Sequence, residues 1–174
     1  METLKAIAKR KSVRAFAPDQ ISEEALQTIL AAGCAAPVGM GAYDTLHLTV
    51  IQNAALLKRI SDAANAAYGR TEPTDIFFGA PTAIVISSSP TRRHGSEFAN
   101  ASCVAQNMLL TATDLGLGSI YLMSPTSACQ AQPELVQAAG IPDGFFPAAT
   151  VALGFSAEEP FERTLAVTLS LNRL

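Results

Sequence analysis

The segment from residue 98 to residue 115 constrains the fold of this chain more than any other stretch. It is long enough for a helix of about five turns, and its only charged residue is Asp114. A helix that is apolar on nearly every side lies in a large core or in an interface between molecules. We therefore predict a central helix over residues 98–115 that also forms the spine of a dimer.

The composition supports an interface of this kind. The chain has 174 residues, which fits a single domain over residues 1–174 with one hydrophobic core. Charged residues make up 16%, hydrophobic residues make up 49%, and the mean hydropathy is +0.25, whereas a charged share of about 25% is usual. A monomer this poor in charge would expose more apolar surface than a soluble protein tolerates. We expect a homodimer.

A membrane span or an export signal does not explain the hydropathy. The longest windows without charge, 98–113 and 115–133, contain polar residues and Pro125, where a span needs about 20 apolar residues. The first eleven residues carry five charges and lead into no apolar stretch, unlike a secretory signal. The sequence predicts a cytoplasmic protein without a membrane partner.

Metal and disulfide chemistry are not indicated. His47 and His94 have no acidic or cysteine ligand at helical spacing, so we expect no metal site. Cys34, Cys103 and Cys129 are an odd number, lack CxxC spacing and lie among small apolar residues. We interpret all three as free, buried thiols.

Positive charge is concentrated at the start of the chain. Five of the twelve basic residues lie within the first fourteen positions, and the remaining 160 residues have a net charge of -7. This pattern favours a local anion site, with a solvated helix end as the alternative. It does not favour nucleic-acid binding, which needs a broader basic face. The five residues are Lys5, Lys9, Arg10, Lys11 and Arg14.

Helix and strand patterns alternate along the chain, which indicates an α/β or α+β protein with helices on both faces of one sheet. Ser22 is the expected N-cap of the second helix, and Gly33 is expected to end it. The tail over 160–174 has apolar residues at period two, which predicts a strand exchanged between two copies. The predicted helices cover 2–9, 22–33, 54–67, 98–115 and 134–139, and the predicted strands cover 46–51, 83–87, 119–123 and 148–153.

Common nucleotide and hydrolase motifs are missing. Gly116 and Gly118 follow a helix, and Tyr121 stands where a dinucleotide fingerprint requires a third glycine. The sequence has no phosphate-binding P-loop and no GxSxG nucleophile elbow. We therefore predict neither a Rossmann domain nor a catalytic triad.

The run RKSVRAF, residues 10–16, carries the clearest chemical signal. In an extended conformation Arg10, Ser12 and Arg14 point to one side. Two guanidinium groups, a hydroxyl and the ammonium of Lys11 match the donors that a phosphate dianion prefers. The segment predicts a ligand with a phosphate at one end and a polar ring at the other.

Five segments in order resemble the FMN-dependent nitroreductase family, over about residues 4–163. They read RKSVRAF, ISEEALQTILAAGCAAP, FGAPTAIVI, AQNMLLTATDLGLGSIYL and ATVALGFSAEEPFER. The resemblance implies an α+β fold with α/β/α layers, a mixed central sheet and a homodimer with a C-terminal strand exchanged. It also implies two FMN molecules at the interface, reduced by NADH or NADPH in a ping-pong cycle that passes hydride through flavin N5 to a small electrophile such as a nitroaromatic or a quinone.

The same resemblance implies the residues of a cofactor site. Residues 10–12 match the segment that holds the FMN phosphate and ribityl chain, and Arg14 matches a basic residue near the pyrimidine edge of the ring, where a cation stabilises the reduced flavin. No side chain is implied as a catalytic acid or base, because flavin N5 carries the hydride. The implied cofactor-binding residues are Arg10, Lys11, Ser12, Arg14, Arg163, the loop Pro37, Val38 and Gly39 from the other subunit, and Leu122, Met123 and Ser124 against the ring.

The chain departs from the family pattern in the loop after Pro37. Family members often carry a serine, an asparagine and then Gln-Pro-Trp there, whereas this chain reads VGMGAYDT. Backbone contacts must therefore replace side-chain hydrogen bonds to the flavin. Two alternatives remain open: a flavin-binding storage or sensor protein without nitroreductase turnover, and a basic segment that binds an anionic protein or nucleic acid instead of flavin.

Several polar residues outside these segments have less specific interpretations. Asn100 and Gln106 are expected to form hydrogen bonds between helices. Arg92 and Arg93 lie in a loop rich in Ser and Pro and are interpreted as solvated. Arg70 is a candidate for recognising the 2′-phosphate of NADPH.

Overall fold

Four strands form one sheet in the order β1-β2-β4-β3, and every neighbouring pair is antiparallel. The computed structural model describes residues 1–93 and 95–174, so the interpretation of His94 lies outside the described residues. The strands are β1 (Leu46–Ile51), β2 (Thr82–Ser88), β3 (Gly118–Leu122) and β4 (Phe146–Gly154), and the helices are α1 (Thr3–Lys9), α2 (Glu23–Cys34), α3 (Ala54–Ala67), α4 (Ser96–Asp114), α5 (Ser124–Ala131) and α6 (Pro133–Ala138).

The α+β class is confirmed, but the sheet that this chain forms by itself is antiparallel and not mixed as predicted. Within the described residues, the only parallel pairing is one isolated bridge between Ser12 and Ser119. The sequence could not reveal strand direction, because the apolar pattern of a buried strand is the same in parallel and antiparallel pairs. A mixed sheet would need a strand from outside this chain.

Both faces of the sheet are covered, as the sequence predicts. In β2, Ala83 and Val85 face one apolar core with α3, α5 and α6, while Ile84 and Ile86 face a second core with α2 and α4. Successive residues of a strand point to opposite faces, so a strand buried on both faces reads as a continuous apolar run. All of Thr82–Ser88 is buried.

Helix α4 spans the second core and carries one buried and one exposed face. Ala101, Ala105 and Met108 are buried, whereas Phe98, Ser102 and Gln106 are exposed. The exposed face contains no charged side chain between residues 98 and 113. The single chain therefore leaves an uncharged helix face available for another molecule.

The helix and strand boundaries agree closely with the sequence, with two exceptions. Ser22 caps α2 by accepting a hydrogen bond from the N–H of Ala25, but Gly33 lies inside this helix rather than after it. A Cβ at Gly33 would clash with Met108 of α4, so close helix packing explains this glycine. Helix α5 is an element that the sequence analysis missed.

The tail over 160–174 has no strand pairing in this chain. Its apolar side chains are exposed, with Leu169 at 85%. The expected strand exchange stays a prediction. No helix in the described part of the chain is long and apolar enough to span a membrane.

The cysteines are free, but they are not all buried. Cys34 is exposed, Cys103 is half-buried and Cys129 is buried. Burial raises the pKa of Cys129 to about 11. The prediction of buried thiols is wrong for Cys34. This residue comes directly after Gly33, the point at which α2 packs against α4, and its own side chain is exposed.

Candidate functional site

The basic segment is extended and is held between the ends of two strands. Ser12 pairs with Ser119 of β3, and Phe16 pairs with Ser156 just after β4. The N–H of Val13 donates to the carbonyl of Ser119 at 3.1 Å. These backbone hydrogen bonds give residues 12–16 a defined conformation.

Two glycines make room for this segment against the sheet. Gly118 and Gly154 are paired across β3 and β4. A Cβ at Gly118 would lie 3.1 Å from the Phe16 ring, and one at Gly154 would lie 3.0 Å from the same ring and 2.8 Å from Pro81. Glycine is needed at both positions because only a residue without a Cβ leaves room for the Phe16 ring against the strands.

The extended conformation separates the basic side chains. Val13 is buried, and the Lys11 ammonium forms an ion pair with Glu158 at 2.8 Å and also donates to the carbonyl of Glu159 at 2.8 Å. Hydrogen bonding from Lys11 lowers the pKa of Glu158, and the N–H of Arg14 adds to this effect. Lys11 thus has an acidic partner within the chain, whereas the Arg14 side chain is exposed.

Arg163 returns to the basic segment from the far end of the chain. Its backbone N–H donates to the carbonyl of Ala8 at 3.0 Å, and its guanidinium donates to the carbonyl of Arg10. The Arg10 side chain is half-buried, and burial followed by the charge of Arg163 lowers its pKa. Two neighbouring guanidinium groups repel each other, and an anion bound between them would remove this repulsion.

A buried hydroxyl lies on the strand that pairs with the basic segment. The Oγ atom of Ser119 is buried without a hydrogen-bond partner among the described residues. Ser119 is the residue of β3 that pairs with Ser12. Buried hydroxyls are normally hydrogen-bonded, so this atom is consistent with a polar ligand at the segment.

The loop that follows α2 is held differently. The N–H of Gly39 donates to Oδ1 of Asn100 at 3.0 Å, and Asn100 is only 6% exposed. Pro37 is exposed and Val38 is buried, while Met40 has a φ of 60° and is 84% exposed. Asn100 therefore anchors a loop, and the prediction that it joins two helices is wrong because sequence does not show which loop lies against a helix.

The loop and the basic segment lie at opposite ends of α4. Asn100 contacts the loop, whereas Thr113 lines a pocket of about 310 Å³ with Lys11 and Val13. At about 1.5 Å per residue these two positions are about 20 Å apart along the helix. One chain therefore does not bring the predicted loop residues to the predicted phosphate residues.

The third predicted group lies at the other end of β3. Leu122 is buried, Met123 is 55% exposed and Ser124 begins α5. Leu122 is three positions after Ser119 in the strand, which corresponds to about 10 Å. An elongated ligand bound at Ser12 along β3 would reach this group.

The described residues contain no cluster of three or more side chains able to hold a metal ion. Arg70 donates to Thr74 at 2.9 Å and lies over the Tyr68 ring. Arg70 thus contacts residues of α3 and of the loop that follows it, and the 2′-phosphate interpretation stays a prediction.

Comparison with known proteins identifies the class. The nitroreductase family model matches residues 7–155, and the chain belongs to the nitroreductase family. A relative from Archaeoglobus fulgidus, named "Putative NADH dehydrogenase/NAD(P)H nitroreductase", is 30% identical over 162 residues, which cover 91% of this chain and 87% of the relative.

Solved structures give the same result. A nitroreductase with bound FMN from Bacteroides fragilis has a TM-score of 0.83 and 29% identity, covering 99% of this chain and 100% of that one. A second nitroreductase with bound FMN, from Desulfitobacterium hafniense, has a TM-score of 0.86 and 26% identity with the same coverage. The predicted family and fold are confirmed.

Proposed function

We propose that this protein is an FMN-dependent NAD(P)H oxidoreductase that reduces a small electrophile such as a nitroaromatic or a quinone. The observation that carries the proposal is the pair of guanidinium groups, Arg10 and Arg163, brought together at the start of the basic segment. Membership of the nitroreductase family and the FMN bound in two similar structures support it.

The residues present fit the phosphate end of FMN. Arg10 and Arg163 supply the charge, and Ser12 and the unpaired hydroxyl of Ser119 are available as hydrogen-bonding groups. Lys11 is paired with Glu158, so its role is to hold the segment rather than the phosphate. Arginine suits this task because its fork of N–H groups matches phosphate oxygens.

The remaining groups belong to the ring end of the site. When bound, FMN supplies a ring that accepts hydride from the nicotinamide and passes it to the second substrate. The exposed cation of Arg14 favours negative charge near the ring, and the backbone of Leu122, Met123 and Ser124 borders it. No side chain of this chain is assigned as an acid or a base, because solvent supplies protons at such an open site.

The proposed site needs a second copy of the chain. Pro37, Val38 and Gly39 lie about 20 Å from the basic segment along α4, so they would approach the cofactor of the partner. The uncharged face of α4 and the exposed apolar tail over 160–174 are the surfaces that a homodimer would cover. Deleting residues 164–174, a cut placed after Arg163, is expected to yield a monomer or an aggregate by light scattering, and a soluble dimer would contradict the strand exchange.

The first experiment is a visible absorption spectrum of the purified protein, with the released chromophore identified by mass. We expect about one FMN per subunit and steady oxidation of NADH or NADPH when a nitroaromatic or a quinone is added. Bound FMN without turnover would instead identify a storage or sensor protein. A colourless protein that does not take up FMN would overturn the proposal.

A further inference from the structure

A pocket of about 590 Å³ lies between the Gly39–Gly41 turn and the start of α4. Arg92 and Arg93 line it together with Gly39 and Asn100. Neither guanidinium belongs to an ion pair among residues 1–93 and 95–174. Two adjacent cations that form no ion pair among the described residues therefore line a cavity whose wall also includes the Gly39–Gly41 turn.

The turn that carries these two arginines is fixed by a buried carboxylate. Oε1 of Glu97 accepts hydrogen bonds from the N–H of Thr91 at 2.7 Å and from its hydroxyl at 2.8 Å, and Oε2 accepts from the N–H of Gly95 at 2.8 Å. Glu97 is only 5% exposed. Both ends of the turn are thus held in place before a ligand binds, which lowers the cost of ordering the arginines.

The ligand chemistry follows from the charges. Arg92 and Arg93 outnumber the only carboxylate lining the pocket, that of Asp44. Two adjacent guanidinium forks match a ligand with two phosphate groups better than one with a single carboxylate. The pocket volume of about 590 Å³ lies within the range of about 300–1,000 Å³ that is usual for small-molecule and cofactor sites.

We propose that Arg92 and Arg93 bind the phosphate groups of the nicotinamide dinucleotide that reduces the protein. This inference rests on the proposed function, because it takes the Gly39 loop to border the cofactor of the partner subunit. The nicotinamide would then lie toward the Gly39 side of the pocket and the phosphates toward the arginines. Both arginines are exposed, as the sequence analysis expects, and the proposal adds a role in substrate binding.

Calorimetric titration of the purified protein with NADP⁺ and NAD⁺ tests the inference without relying on turnover. The double variant Arg92→Ala/Arg93→Ala is expected to weaken dinucleotide binding about thirtyfold, because two contacts of exposed guanidinium groups are lost and each is weaker than a contact at a half-buried site. The matched control is Arg59→Ala, an exposed arginine on α3, which is expected to change affinity less than twofold. A larger loss for NADP⁺ than for NAD⁺ would place the 2′-phosphate at the arginines, and equal losses would place the pyrophosphate there.

Two further measurements separate the alternatives. In the double variant, 1-benzyl-1,4-dihydronicotinamide, which lacks phosphates, is expected to reduce the bound flavin at the rate of the unchanged protein. Unchanged dinucleotide affinity in the double variant would overturn the inference. Weaker binding of 4-nitrobenzoate together with unchanged dinucleotide affinity would overturn it as well. A colourless protein whose dinucleotide binding still depends on the arginines would support the inference while overturning the proposed FMN chemistry.

Discussion

The two ends of α4 differ in how the chain builds them. At the C-terminal end, the basic segment is held by backbone pairing with Ser119 and Ser156. At the N-terminal end, the loop and the arginine turn are held by two side chains, Asn100 and Glu97. The first end is held mainly by backbone hydrogen bonds, with room made by Gly118 and Gly154, whereas the second depends on single polar side chains. Substitutions should therefore affect ligand contacts at the first end and shape at the second.

The largest effect is expected at the backbone-held end. Arg10→Ala removes one of the two neighbouring guanidinium groups, and FMN affinity is expected to fall about thirtyfold because a charge-assisted contact is worth about 1.5–3 kcal/mol. Urea unfolding should change little, because the segment is held by its backbone. Fluorescence titration with FMN measures the loss, and Arg59→Ala is the control. An unchanged FMN affinity would remove Arg10 from the site.

At the Gly39 loop we expect a smaller effect on FMN affinity than at Arg10, but a larger effect on the conformation of the loop. Asn100→Ala leaves the N–H of Gly39 without its partner, and the free energy of unfolding should fall by about 1–2 kcal/mol. FMN affinity in the dimer should fall several-fold because the loop is no longer held. Asn100→Asp keeps the acceptor oxygen and should retain most of the stability in urea unfolding. Gln137→Ala, at an exposed amide on α6, should change neither quantity. Equal losses for the Asp and Ala variants would contradict the anchoring role.

The arginine turn should respond to pH through Glu97. Hydrogen bonds from Thr91 and Gly95 lower the pKa of Glu97 to about 2 from its ordinary value of 4.5. A carboxylate with a lowered pKa contributes stability that is present above pH 4.5 and is lost as the pH falls toward 2. Glu97→Gln is expected to flatten this part of the curve of unfolding midpoint against pH. A variant with the same acid dependence as the unchanged protein would show that Glu97 does not clamp the turn.

The smallest effect is expected at Lys11. Its ammonium pairs with Glu158, and exposed ion pairs contribute little to stability. Lys11→Met should therefore change FMN affinity less than about threefold in the same titration used for Arg10. A loss as large as that of Arg10→Ala would place Lys11 on the phosphate. It would contradict the assignment of Lys11 to the ion pair with Glu158.

Much of the candidate site was predictable because it depends on local pattern. Arg10, Ser12 and Arg14 occupy alternate positions of an extended run. Alternate positions point to one side of the chain, so these three side chains lie in a different environment from those of Lys11 and Val13. The distance between this segment and the Gly39 loop was not predictable, because it depends on the length and direction of α4. The roles of Asn100 and Glu97 were also missed, since an isolated amide or carboxylate carries no signal of the loop it contacts.

The sequence by itself determined the α+β class, nearly every element, the basic segment and the resemblance to the nitroreductase family. These features depend on apolar periodicity, caps and local charge, all of which act between residues close in the chain. Only the tertiary structure decided that the strand pairs are antiparallel, that Arg163 returns to Arg10, and that Arg92 and Arg93 share a pocket with Gly39. Those contacts join residues that are far apart in sequence, and a sequence pattern does not encode which distant segments meet.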